Sequence, residues 1–240
     1  MDYSAGPLKT TDLFFHMEHA AQAAGLKDYA FNFDRPYILT LPTPHQGIAE
    51  MTHVRGKSAL DARQLSDAEL EGRELVHEAM TFFTSYMPQF RHAILEQTAP
   101  TIGIRESRRI LGEYELTGED LLEQKKFEDA ISQANYPVDV HGMKELYRDD
   151  RPHGDTNKPW YEIPFRCLVV KGFDNLLTAG RCISSDFIAQ SAVRIQICCH
   201  STGEAAGIAA AMSIQNAVSV KKIKGQEVRA RMQELGAAFV

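Results

Sequence analysis

Val76, Ala79, Met80, Phe83 and Met87 recur three and four residues apart, with polar residues between them. That spacing predicts an amphipathic helix over 66–87. Ser66 and Glu69 stand at capping-box spacing at its start, Leu65 and Leu70 are placed for a hydrophobic staple, and Pro88 ends the run. Leu13 to Met17 and Tyr37 to Leu41 read as short strands, the second closed by Pro42 and Pro44; a weakly patterned helix over 18–25 lies between them. Residues 102–116 alternate. Ile110, Gly112, Tyr114 and Leu116 fall on one side and Arg109, Glu113 and Glu115 on the other, which predicts an extended segment. Thr117 then opens a short helix, with Asp120 at its third position and a Leu116/Leu121 staple.

The last third changes rhythm. Tyr161, Ile163, Phe165 and Cys167 alternate with Glu162, Pro164 and Arg166, a strand with an edge proline. Asn175 to Ala179 reads as a second short strand, broken by Gly180. A long helix is predicted from about Ile197 to Asn216, and a final amphipathic helix carries Val228, Met232 and Leu235. Residues 135–160, rich in Asp, Gly, Pro and Asn, are expected to form a long surface loop, the kind of segment that is usually functional or mobile.

Composition narrows the class. Of the 240 residues, 44% are hydrophobic and 24% charged, enough apolar material for a packed core. The net charge of -6 speaks against nucleic acid as a partner. No stretch approaches the roughly 20 apolar residues of a membrane span, and the first residues lack a secretory pattern. Cys167, Cys182, Cys198 and Cys199 show no metal-ligand spacing, so no metal is expected, and their usage suits a reducing, cytoplasmic setting.

Three stretches point to chemistry. Gly103 to Gly112, G-I-R-E-S-R-R-I-L-G, places Arg105, Arg108 and Arg109 on an extended segment, with Arg105 and Arg109 on one face. Guanidinium groups so arranged suit phosphate or carboxylate; pairing with Glu106, Glu113 or Glu115 is an equal alternative. In the long helix, Gly203 and Gly207 stand one turn apart with Ala206, Ala210 and Ala211 near the same face. Interior helical glycines cost about 1 kcal/mol each relative to alanine, so a close neighbour is expected there: a sheet, another helix or a flat cofactor. The start of that helix suits an anionic group. Asn175 to Ser184, N-L-L-T-A-G-R-C-I-S, runs a short apolar strand into Gly180 and Arg181, the strand-to-loop switch at which open α/β sheets bind ligands. Asp139-Val140-His141-Gly142 offers a histidine for acid/base work, although a lone histidine is more often structural. There is no G-x-G-x-x-G after an early strand, no P-loop, no H-E-x-x-H and no G-x-S-x-G.

Taken together these stretches resemble the FAD-dependent oxidoreductases. G-I-R-E-S-R-R-I-L-G-E-Y-E-L-T, Gly103 to Thr117, is similar to the signature of that family. The stretch at Asn175 to Ser184, then Arg194, then T-G-E-A-A-G-I-A-A, Thr202 to Ala210, resembles its C-terminal flavin-binding end. Glu69 to Arg73 and Tyr136 to Gly142 fit in order, so the likeness runs from about residue 50 to 237.

The resemblance implies an α+β fold: a β-rich substrate domain over 1–160, followed over 161–240 by the C-terminal strand and helix of a Rossmann-type FAD-binding domain. It implies FAD as cofactor and hydride transfer to or from a small-molecule substrate, anionic if the arginines bind it. His141 and Arg105 would then be catalytic. Arg109, Gly180, Arg181, Arg194, Gln196, Ile197, Cys198 and Gly203 would bind the cofactor. Because the glycine loop for the ADP half of FAD is missing, the chain is expected to be part of a larger unit and to hold FAD weakly or not at all alone. Two other readings stand beside this one: a non-enzymatic module for an anionic ligand, and a subunit that completes its flavin site with a separate nucleotide-binding chain; the expected partners are that chain or further copies in a homo-oligomer.

Overall fold

In a computed structural model, which describes residues 13–26, 37–140 and 159–240, the first element is a helix, α1 (Leu13–Ala23), and not the expected strand. The reason lies in the packing. Met17 and Ala21 stand one helical turn apart, and both are buried in a cluster with Met51, Phe82, Phe83, Met87 and Phe90. A short antiparallel hairpin follows, β1 (Tyr37–Thr40) with β2 (Gly47–Glu50), in the register Tyr37↔Glu50 to Thr40↔Gly47.

Helix α2 (Ala62–Tyr86) is longer than its periodicity predicts. Its cap is Asp61, whose side chain accepts from the N–H groups of Arg63 and Gln64. Ser66 instead donates to the Ala62 carbonyl at 2.9 Å, and Glu69 accepts from the Ile102 N–H at 2.6 Å. Leu70, expected in a staple, is exposed. Pro88 ends the helix as expected and opens a short 3-10 turn, Pro88–Phe90.

The chain divides into two compact units, Met1–Ile104 and Arg105–Val240. The boundary expected near 160 therefore falls inside the second unit. There β3 (Ala130–Ala134) pairs antiparallel with β4 (Tyr161–Pro164), joining residues from both sides of that expected boundary. The second unit also contains α3 (Gly118–Leu122), α4 (Phe187–Val193), α5 (Gln196–Gln215) and α6 (Gly225–Glu234). The class is α+β with small sheets, each of two strands among the described residues. The stretch Asn175–Ala179 forms no strand; Leu177 makes a single bridge to Val169.

The core of the second unit gathers Leu116, Ile131, Ile163, Phe165, Leu168, Ile183, Val193 and Val228. Burying each such side chain contributes about 1.5–3 kcal/mol. The buried side of α5 is Cys198, Thr202, Ala205 and Ala209, and α6 adds Val228 and Met232. Among the described residues, no helix is long and apolar enough to cross a membrane.

Candidate functional site

The arginine-bearing segment ends at the centre of the second unit. Its alternation holds: Leu116 is buried while Leu111, Glu113 and Glu115 face outward. Backbone bonds hold it from both sides. Ile110 and Leu116 donate to the carbonyls of Cys182 and Ser184 at 3.0 and 3.2 Å, and Glu113 donates to Val169 at 3.0 Å. The segment is extended but lies in no regular sheet, since its partners are a 3-10 turn and loop backbone. Gly112 sits where these chains meet. A β-carbon there would lie 2.6 Å from Ser184 Cβ and 3.1 Å from the Arg166 carbonyl oxygen.

The turn after the segment is fixed by polar caps. The Thr117 side chain accepts from the Asp120 N–H, and Asp120 accepts in return from the Thr117 N–H, completing the predicted capping box. Asp120 also takes Tyr114 Oη at 2.8 Å and Lys125 Nζ at 2.6 Å. Burial raises the Asp120 pKa, but the bonds from Lys125, Thr117 and Tyr114 outweigh it and hold the carboxyl below its ordinary value. Burial is likewise the largest influence on the Tyr114 hydroxyl, which is raised. Asp186 caps α4 through the Ala189 N–H at 2.7 Å and reaches the Gly118 N–H at 2.8 Å, which locks α4 onto this turn.

Arg194 closes α4 as its C-cap, with its side chain only 10% exposed. Its Nη2 donates to the Asp139 carbonyl at 2.9 Å and lies 3.6 Å from Asp139 Oδ2. Arg105 Nη2 lies 3.6 Å from the same oxygen. Burial pushes the Arg194 guanidinium below its ordinary pKa and Arg105 adds to that, with Asp139 opposing. Gln190, buried in α4, donates from Nε2 to the carbonyls of Arg105 at 3.2 Å and Arg181 at 3.5 Å. One amide thus ties the arginine segment to the turn that precedes α4.

That turn begins at Gly180, whose φ of 78° places it in the left-handed region. Its N–H donates to Thr202 Oγ1 at 3.0 Å, and a β-carbon on it would lie 3.9 Å from Cys199 Sγ. Gly180 and Arg181 therefore stand beside the first turns of α5. The N-cap of α5, Ile195, makes no side-chain capping bond. The first N–H groups of the helix, at Gln196, Ile197 and Cys198, are left with no side-chain acceptor from the cap, and the positive end of the helix dipole lies there. Gln196 and Ile197 are exposed. The Cys198 side chain is buried in the core, its thiol pushed up to about 12 by that burial, so it offers the site only its backbone N–H.

Gly203 and Gly207 were expected to face a close neighbour; both are exposed, and a β-carbon on either would meet nothing within 4 Å. The outward face of α5 is smooth and open, running through Gly203, Gly207, Ala210 and Ala211. Arg109 takes the alternative its spacing left open, pairing locally with Glu106 at 2.8 Å, while Arg105 turns to Asp139. His141 lies outside the described residues. Of the expected site residues, the structure brings Arg105 and Arg194 together around Asp139, and sets Gly180 and Arg181 beside the start of α5.

Three participants escaped the sequence reading: Asp139, Gln190 and Thr202. Asp139 stands two residues from the singled-out His141 and Thr202 opens the glycine motif, so both lay within marked stretches. Gln190 carried no signal, because an isolated glutamine in an apolar helix has no pattern of its own.

A family model described as FAD dependent oxidoreductase matches residues 5–232 of the chain. The chain matches no curated protein and no solved structure.

Proposed function

This chain belongs to the family of FAD dependent oxidoreductases, and from that premise we propose that its second unit forms the flavin-facing side of a site that passes a hydride between FAD and a small anionic substrate. The observation that carries the reading is the start of α5: an uncapped helix N-terminus beside Gly180 and Arg181, continuing into an open face of glycine and alanine. These residues fit the cofactor. The uncapped N–H groups of Gln196 to Cys198 suit the electron-rich edge of a flavin ring, and the smooth face admits a flat group without a clash.

FAD, when bound, supplies hydride acceptance and release. The N–H groups at 196–198 would hold the ring edge of the flavin and favour negative charge there, and Arg181 would add a positive charge near the turn. Thr202 holds Gly180 in place through its hydroxyl. Arg105 and Arg194 hold the anionic group of the substrate, with Arg194 fixed by burial and Arg105 free to adjust at the surface. His141, close in sequence to Asp139, would take up the proton that the substrate releases as it gives up its hydride, or return it in the reverse direction. The ADP half of FAD would take its contacts from a separate nucleotide-binding unit.

Titration of the protein with FAD, FMN and riboflavin, followed by flavin fluorescence, tests this. The contacts named here reach only the ring end, so the three flavins are expected to bind within about tenfold of one another. Gly203→Leu and Gly207→Leu, which fill the open face, should abolish all three. The absence of saturable flavin binding at millimolar concentration, or binding untouched by both leucines, would sink the reading.

A further inference from the structure

Arg105 and Arg194 both point a guanidinium nitrogen at one oxygen, Asp139 Oδ2, each from 3.6 Å. A charge-assisted hydrogen bond between such groups is shorter, about 2.8 Å. The arginines therefore surround the carboxylate at ion-pair distance without closing on it. The main chain of Asp139 is held more tightly than its side chain is by these arginines. Its N–H donates to Ser191 Oγ at 3.1 Å and its carbonyl accepts from Arg194 Nη2 at 2.9 Å.

Arg194 is nine-tenths buried, and its Nε has no acceptor among the described residues. A buried guanidinium with an empty N–H is unfavourable, and the usual remedy is a carboxylate bound through two parallel bonds to Nε and a terminal nitrogen. Asp139 does not supply it: it approaches Nη2, and Nε stays unmet. The charges tell the same story. Arg109 pairs with Glu106, whose charge also reaches Arg194 from a distance, and Asp139 is the carboxylate that lies between the guanidinium groups of Arg105 and Arg194.

We propose that Asp139 is an internal stand-in for the carboxylate of a ligand. A small carboxylic acid in its anionic form takes the place of the Asp139 side chain between Arg105 and Arg194, its two oxygens meeting Arg194 Nε and Nη2 in parallel and one of them also facing Arg105. The Asp139 side chain turns away while its backbone stays anchored to Ser191 and Arg194. The site then carries two cations for one bound carboxylate, with Asp139 near enough to reoccupy it when the ligand leaves. As an assignment of substrate class this rests on the flavin reading above. As an anion site it stands without flavin.

Titration of the flavin-free protein with acetate, glycolate and benzoate, with acetamide as the uncharged control, tests it by NMR chemical-shift perturbation. Wild-type protein should respond to the three carboxylates and not to acetamide. Asp139→Asn removes the internal competitor and should bind them about tenfold tighter or more. Arg105→Gln, at an exposed side chain, should lose most of the response while its melting curve is preserved. If Asp139→Asn fails to melt cooperatively, Arg105→Gln carries the decision: an unchanged carboxylate response in it overturns the proposal. Equal affinities in wild type and a folded Asp139→Asn overturn it too. Tighter carboxylate binding in Asp139→Asn together with failed flavin titration would keep the anion site and discard the flavin reading. The opposite pair of results would do the reverse.

Discussion

A β-carbon on Gly112 would lie 2.6 Å from the β-carbon of Ser184, a separation that carbon atoms of side chains do not tolerate. The motif glycine is there because the arginine segment passes against the 182–186 backbone with no room between them.

Gly112→Ala is therefore expected to destabilise the protein by about 1–3 kcal/mol or more, as overpacking does. Gly203→Ala should do the opposite, leaving stability unchanged or raising it by up to about 1 kcal/mol, because its β-carbon meets open space in a helix. Urea unfolding of both variants checks the contrast. A Gly112→Ala protein as stable as wild type would mean that the segment shifts aside easily, and the central placement of the arginine strand would lose its support.

Asp120→Asn should weaken the turn at Thr117 in a pH-dependent way. The folded-state pKa of Asp120 is lowered, so its contribution is complete above the unfolded value near 4 and is lost as pH falls through the folded value. At neutral pH the substitution should cost about 1.5–3 kcal/mol, the range for a hydrogen bond to a charged group. Below about pH 3 the gap from wild type should shrink. Denaturant melts at neutral and acid pH measure both values, and a gap that does not change with pH would show that the Asp120 charge is immaterial.

Thr202→Val keeps the shape of a buried side chain and removes the oxygen that takes the Gly180 N–H at 3.0 Å. Stability should fall by about 1–2 kcal/mol, and flavin affinity should fall with it as Gly180 and Arg181 loosen. Thr202→Ser, which restores the hydroxyl, should recover the affinity. Calorimetric melting and flavin titration of both variants separate the two effects.

The cysteines should differ sharply in reactivity. Cys167 and Cys198 are buried, and burial raises both thiols, Cys198 to about 12. Cys182 is exposed and Cys199 half-buried. Brief treatment of the native protein with iodoacetamide should label Cys182 first and leave Cys167 and Cys198 unmodified until denaturant is added. Peptide mass spectrometry reads the order, and rapid native labelling of Cys198 would contradict its place in the core.

Much of the second unit was legible because its signals are local. The Thr117/Asp120 cap, the alternation from Ile110 to Leu116, and the long helix α5 rest on residues within a few positions of one another, and each element formed where its pattern lay. The arginines, the Gly180 turn and the glycine motif were marked by the same kind of short-range spacing. The misreadings share one cause, which is competition from partners distant in sequence. Leu13 to Met17 is too short for its period to decide between strand and helix, and the buried pair Met17 and Ala21 chose helix. Asp61 caps α2 because Glu69, the expected partner of Ser66, is drawn away to the Ile102 N–H. Residues 175–179 make a single bridge, Leu177 to Val169, and find no further strand among the described residues to extend it into a ladder. The meeting of Arg105 with Arg194 over Asp139 belongs to the tertiary structure alone. Sequence places arginines on a segment and near a helix end, but only the packing of α4 beneath that segment, tied by Gln190, brings their charges onto one oxygen.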